Sequence, residues 1–260
     1  MLKIAVTGKG GVGKTTLASV LAGLYAREGR TVLAVDADPD ANLGLALGFT
    51  EEEVLAITPI SKMNDLINER TGSDSAGYGR FFKINPRVDD IPDRFAVAKN
   101  GVKLLLMGTV ESGGGGCVCP EHVMLKRIIS HLVLNRDDVV IMDMEAGLEH
   151  LGRGTADMVD RFIVVVEPGT RSIQTYHKIK QLAADLGITR VSIVGNKVRS
   201  TADEDYLRER LWGEDILGFI RYTDDAIESD KREVSALDTS EAIQKEINFI
   251  KEKIDSYATH

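Results

Sequence analysis

Nine consecutive residues near the start of the chain, Gly8-Lys9-Gly10-Gly11-Val12-Gly13-Lys14-Thr15-Thr16, bring four glycines, two lysines and two threonines together. Side chains of these types in this order suit one task, the holding of a polyphosphate. The glycines let successive backbone N–H groups turn toward one anion, and a helix opening at Lys14 adds the positive end of its dipole. Lys14 is spaced to reach the β- and γ-phosphates of ATP, and the Thr15 hydroxyl to coordinate Mg²⁺. Two acids fit the same chemistry. Asp36 ends an apolar run at 31–36, and Asp143 ends Val139-Val140-Ile141-Met142-Asp143. Each is a carboxylate at the C-terminal edge of a buried strand, facing the crevice where a nucleotide and its Mg²⁺ would lie. Asp38 follows Asp36 in an aspartate-rich turn, and Gly147 follows Asp143 as a hinge near the γ-phosphate, with Glu145 and His150 beside it as a relay, a second metal site, or solvated or paired charges.

A second constellation, at 111–122, is Glu111-Ser112-Gly113-Gly114-Gly115-Gly116-Cys117-Val118-Cys119-Pro120-Glu121-His122. Cys117 and Cys119 are the only two cysteines of the chain, too few for a disulfide framework. Thiols one residue apart can chelate a soft or borderline metal where the backbone folds tightly, and the glycines permit that as well as close approach by a second chain. One chain offers two sulfurs. A two-fold dimer offers four, enough for Zn²⁺ in a tetrahedron, Ni²⁺ in a square plane or a bridging iron–sulfur cluster. A pair of inert buried cysteines is the plainer alternative.

Lys9, directly after the first loop glycine, resembles the mark of the deviant Walker A ATPases, among them the nitrogenase iron protein, the bacterial partitioning and septum-positioning ATPases and the metal-site maturation ATPases. That resemblance implies that Lys9 reaches across a dimer interface to the partner's ATP. It also implies that Asp38 is the switch I aspartate that orients or deprotonates the attacking water, and that Asn196, in Gly-Asn-Lys with Lys197, reads the adenine edge. The segment around Arg221 would wrap the base, although relatives usually carry proline there. Val110-Glu111-Ser112-Gly113-Gly114 is similar to the stretch before a cluster-binding cysteine of the nitrogenase iron protein, but no cysteine follows Asp143 as that family requires. Three strings together resemble the CooC-type nickel-insertion ATPases of carbon monoxide dehydrogenase maturation. They are Cys117-x-Cys119-Pro120, the stretch 143–155, and Glu167-Pro168-Gly169-Thr170-Arg171-Ser172. What this implies is an ATP-hydrolysing, nucleotide-switched homodimer that binds Ni²⁺ or Zn²⁺ through its paired Cys-x-Cys loops and opens near a client dehydrogenase.

These residues need a scaffold, and the hydrophobic pattern supplies one. Apolar runs at 3–7, 31–36, 102–108, 138–143, 161–167, 190–196 and 216–221 predict strands. Helical spacing at 14–27, 122–131, 172–186, 204–212 and 239–257 predicts helices between or after them. The alternation implies an α/β fold of three layers, the P-loop NTPase arrangement, with a mostly parallel sheet covered on both faces. Residues 50–100 are the least periodic and predict an irregular insertion with short helices and a hairpin. The 260 residues, 43% apolar and 28% charged, suit one ATPase domain. A net charge of −8 argues against nucleic acid or an anionic membrane as partner, and against a positioning ATPase that assembles on either. No apolar run is long enough to span a bilayer, the first residues read as a strand instead of a signal peptide, and the amphipathic helix at 239–257 is rich in acids and suits core packing. A cytoplasmic protein is expected.

Overall fold

A computed structural model of the chain describes residues 2–73, 82–109, 119–135, 139–146 and 159–258. In chain order the elements are β1 (Leu2–Gly8), α1 (Lys14–Arg27), β2 (Val32–Ala37), α2 (Leu43–Ala46), α3 (Glu51–Leu55), a 3₁₀ turn (Ile60–Lys62), α4 (Asn64–Thr71), α5 (Ile91–Phe95), β3 (Val97–Lys99), β4 (Val102–Leu106) and α6 (Pro120–Asn135). There follow β5 (Val139–Met144), β6 (Arg161–Val166), α7 (Thr170–Asp185), β7 (Val191–Val198), α8 (Thr201–Arg210), β8 (Ile216–Arg221), α9 (Asp224–Lys231), α10 (Ala236–Thr239) and α11 (Glu241–Ala258).

The strands form one sheet in the order β3-β4-β2-β5-β1-β6-β7-β8, parallel throughout except for the antiparallel β3–β4 pair. Strands buried on both faces read as continuous apolar runs, which is why β1, β5 and β6 stood out in the sequence. Their side chains still alternate: Leu2, Ile4 and Val6 pack on one side, Ala5 on the other. One face is covered by α1, α2, α10 and α11 through Leu17, Leu21, Leu43, Leu237, Ile243, Ile247 and Ile250. The opposite face is covered by α4 to α8, through residues such as Ile67, Ile91, Met124, Ile173 and Leu207. The expected three layers are present, and α11 packs on the core with Ile243, Ile247, Ile250 and Ile254 nearly sealed from solvent.

β1 lies at the middle of the sheet. The chain leaves it toward β2 on one side and later adds β6 on the other, so the loop from β1 to α1 on one face and the loop from β6 to α7 on the other open a crevice above the C-terminal strand edge. Register aligns the two acids: Val6 pairs with Asp143 across β1–β5, and Asp36 pairs with Asp143 across β2–β5.

Several boundaries differ from the expectation, each for a local reason. The strand expected at 102–108 stops at Leu106, and Gly108 turns into the left-handed region at φ +71°. The helix expected from 204 starts at Thr201, because the Ser200 hydroxyl accepts from the Asp203 N–H and caps it. The helix expected at 122–131 runs from Pro120, a residue suited to a first turn, to Asn135. Within 50–100 the Thr50–Glu53 capping box opens α3, and the β3–β4 hairpin turns at Asn100-Gly101, both at positive φ. Helices α9 and α10 lie where no helix was expected.

Candidate functional site

The loop from β1 to α1 lies over the crevice, and its backbone needs glycine where other chain segments come close. Gly13 has φ +94°, and a Cβ there would come within 2.1 Å of the Asn196 amide nitrogen. Gly8 meets the Val165 carbonyl in the same way, at 2.5 Å. Below the loop is a cleft of about 490 Å³ lined by Gly10, Gly11, Gly13, Lys14, Thr15 and Thr16, by Asp38, Pro39, Asp40, Asn42 and Ala46, and by Glu145 and Ala146. That size suits a small ligand. Three separate stretches of sequence, at the ends of β1, β2 and β5, therefore meet in one place.

The inner wall is buried and charged. Lys14 Nζ lies 3.1 Å from Asp38 Oδ2, with both side chains nearly covered. The Thr15 hydroxyl donates to Asp143 Oδ2 at 2.6 Å. Asp36 accepts from the backbone N–H of Leu43 at 2.9 Å and of Asp38 at 3.2 Å, so it pins the aspartate-rich turn to the end of β2. Burial, followed by the adjacent Asp143 charge, pushes the Asp36 carboxyl up to about 7. Burial also pushes Asp143 up to about 6, against the opposing pull of the Thr15 hydroxyl and Lys14. Asp143 Oδ1 is buried with no hydrogen-bond partner. A buried carboxylate oxygen left unpaired is costly unless something fills its coordination, and hard oxygen donors beside a phosphate loop are the donor set that Mg²⁺ takes. Thr15, Asp36 and Asp143 thus fit the magnesium expected of them.

Behind this wall the buried Thr7 hydroxyl donates to the Glu145 carbonyl at 2.6 Å, tying the end of β1 to the first residue after β5. The sequence singled out Glu145 for its side chain, which is exposed; its carbonyl is what the structure engages. Gly147 and His150 lie outside the described residues.

The outer rim is more open. Lys9 Nζ is 3.5 Å from Glu167 Oε1, and Lys197 Nζ is 3.7 Å from Glu167 Oε2. Lys197, held at φ +57°, also donates from Nζ to the Gly11 carbonyl at 2.5 Å. Asn196 Nδ2 donates to the Val12 carbonyl at 2.7 Å, and Asn196 Oδ1 accepts from the Lys197 N–H at 2.8 Å. The resemblance implies that Asn196 reads the adenine edge; here its amide nitrogen braces the phosphate loop at Val12 and its amide oxygen holds the N–H of the next residue. Arg221 stands away from the phosphate cleft, on a groove beside β8, with its guanidinium 3.9 Å from Glu204 and its N–H on Glu246. In the sequence Glu167 stands out only as the start of the 167–172 string, and nothing there marks Thr7. An acid ending the strand next to β1 is the signal that could have found Glu167.

Of the two thiols, Cys117 lies outside the described residues. Cys119 precedes α6, is partly buried, and has its sulfur 3.5 Å from His122 Nδ1. Burial raises the thiol above its ordinary value. Among the described residues no group of three or more His, Cys, Asp or Glu side chains is placed to hold a metal ion. None of their helices is long and apolar enough to cross a membrane.

The CbiA family, described as the CobQ/CobB/MinD/ParA nucleotide binding domain, matches residues 3–236. The chain is 49% identical to the carbon monoxide dehydrogenase accessory protein CooC of Rhodospirillum rubrum over 93% of its own length and 91% of that protein. It is also 49% identical to an uncharacterised ATP-binding protein of Methanocaldococcus jannaschii, covering 88% of each. Its fold is similar to that of the MinD cell division protein of Aquifex aeolicus, with a TM-score of 0.68 at 20% identity and 98% of both chains covered.

Proposed function

This chain belongs to the CobQ/CobB/MinD/ParA nucleotide-binding family, on its CooC branch, and is a P-loop ATPase; from that premise we propose a cytoplasmic metallochaperone that works as a nucleotide-switched homodimer. Its cargo is Ni²⁺ or Zn²⁺, and its client is carbon monoxide dehydrogenase, the enzyme that the Rhodospirillum rubrum relative is named for. One observation supports the nucleotide half of this: Lys14, Thr15 and Asp38 line a single cleft, with Asp143 on the Thr15 hydroxyl and Asp36 on the Asp38 N–H behind them, and one Asp143 oxygen buried and unpartnered.

ATP is the substrate. Lys14 and Asp38 satisfy each other. A phosphate chain in the glycine loop draws Lys14 away, and the released Asp38 carboxylate turns to the water that attacks the γ-phosphorus. Phosphoryl transfer is stabilised chiefly by positioned charge, so the exchange of partners readies the water only when nucleotide is present. Thr15, Asp36 and Asp143 would hold Mg²⁺, which would supply charge neutralisation to the bound polyphosphate. Lys9 crosses to the partner's nucleotide and makes dimer closure depend on ATP. Loss of the γ-phosphate removes the contacts that keep the switch after Asp143 in its closed position.

The cargo half rests on Cys117, Cys119 and the identity to CooC. Two chains contribute four thiolates to one site on the dimer axis, so ATP and metal, each favouring the closed dimer, strengthen one another's binding by the same factor. The test is metal analysis of the purified protein with and without ATP. One metal per two chains is expected, lost in both Cys117→Ser and Cys119→Ser and bound more tightly with ATP. One tightly held metal per monomer, or an affinity identical in the nucleotide-free, ADP and ATP states, overturns the reading. An iron–sulfur absorbance under anaerobic conditions would replace the cargo.

A further inference from the structure

Glu167 lies outside the chemistry described so far. It directly follows β6, the strand that pairs with β1 up to Gly8, so its carboxylate stands beside the first turn of the phosphate loop. Its N–H donates to the Ser172 hydroxyl at 3.0 Å, which fixes the backbone at the start of α7. The carboxylate faces two ammonium groups, Lys9 Nζ at 3.5 Å and Lys197 Nζ at 3.7 Å, and Lys197 is itself anchored on the Gly11 carbonyl. A carboxylate held between two cations, one of them fixed to the loop, keeps its place and keeps Lys9 folded back on its own chain. The Lys9 and Glu167 side chains are 39% and 29% exposed, so water reaches the pair.

We infer that Glu167 is a positioning residue for Lys9: it holds the lysine on its own subunit until the phosphates of the partner's ATP outcompete it. The inference rests on the assignment of Lys9 as the lysine that crosses the dimer. One carboxylate offers a lysine a single charge, whereas a triphosphate with its surrounding donors offers several, so the exchange is favourable only when nucleotide is present across the interface. Weakness suits such a latch. An exposed Lys–Glu pair shifts an equilibrium roughly 1.5- to 5-fold, small enough for a ligand to reverse. Closing a two-fold dimer releases two of them, so the effect on association is squared.

The experiment is sedimentation of the full chain with a non-hydrolysable ATP analogue and a metal chelator, comparing the parent, Glu167→Gln, Lys9→Ala and the double variant. Glu167→Gln is expected to tighten association roughly 2- to 25-fold. Lys9→Ala is expected to weaken it, and the double variant to behave as Lys9→Ala alone. Glu167→Asp, which keeps the charge on a shorter stem, should fall between parent and Glu167→Gln. If Lys9→Ala weakens association while Glu167→Gln leaves it unchanged or weaker, the latch is wrong and the crossing lysine stands. An equal tightening by Glu167→Gln in the Lys9→Ala background means a general charge effect and also overturns the latch. If Lys9→Ala associates as well as the parent, the crossing lysine falls and takes the latch with it.

Discussion

Two lysines of one loop sit against carboxylates of their own chain, and the settings differ in kind. On the inner wall Lys14 and Asp38 are 3.1 Å apart with side chains 8% and 13% exposed; on the rim Lys9 and Glu167 are 3.5 Å apart at 39% and 29%. A nearly buried pair cannot simply lose one member, because the other is left charged and poorly solvated. Lys14 therefore leaves Asp38 only for another anion in the same cleft. An open pair separates at little cost because water takes over each charge. The inner pair is suited to sensing what occupies the cleft, and the outer pair to an exchange between molecules.

Removing Lys14 should have the largest effect. Loss of one member of a buried charge contact typically costs about 2–5 kcal/mol of affinity, so Lys14→Ala should weaken ATP binding from about thirty-fold to beyond a thousand-fold, as read by calorimetry. Near-parent affinity would erase the distinction between the two lysines. Next, Asp38→Asn keeps the shape of the turn and removes the charge. Turnover should fall by roughly 100-fold with ATP still bound, as expected for loss of a group that orients or deprotonates water; phosphate release at the parent rate would show that Asp38 only balances Lys14.

The buried acids make the inner wall sensitive to pH. Asp36 is pushed up to about 7 and Asp143 to about 6, each mainly by burial. A carboxylate raised in the folded chain favours the protonated folded form. Its stabilising contribution is present below the unfolded value of 3.8 and is lost as pH rises through 6 and 7. Magnesium needs the ionised groups, so its affinity should fall as pH drops through the same window, approaching about ten-fold per unit for each carboxylate that must ionise. Magnesium titrations at pH 8, 7 and 6 check the second effect, and melting of the nucleotide-free protein across that range checks the first. In Asp36→Asn the pH dependence of melting should flatten.

Smaller effects sharpen the contrast further. Thr7→Val removes the tether to the Glu145 carbonyl, a neutral hydrogen bond worth about 1 kcal/mol, so turnover should drop roughly five-fold. The ATP KM should hold, since Thr7 does not line the cleft, and Thr7→Ser should restore the rate. An unchanged rate would show that the end of β1 does not position the switch after β5. Smallest of all, Lys9→Ala should change the stability of the nucleotide-free chain by at most about 1 kcal/mol in urea unfolding, as for any open ion pair. A larger loss would mean that the rim is a structural joint.

The phosphate loop, the acids at the ends of β2 and β5, and the alternation that forces a parallel sheet between two helical layers are all legible in the order of residues. Those are short-range properties. A strand, a glycine turn and a helix are specified by neighbours within a few residues, and buried parallel strands announce themselves as apolar runs. Element ends were less legible because caps override periodicity: the Ser200 hydroxyl starts α8 ahead of its apolar spacing, and the Asn100-Gly101 turn makes a hairpin inside a stretch without a clear period. What braces the loop emerges from contacts between distant parts of the chain. Thr7 meets Glu145 across 138 residues, Lys9 meets Glu167 across 158, and Asn196 meets Val12 across 184. Each contact exists because β5 and β6 flank β1, and β7 follows β6, in a strand order that no local pattern encodes. Strand order is set by which faces and edges bury best once the whole chain collapses, so the partners of Lys9, Thr7 and Asn196 become visible only when the sheet is assembled.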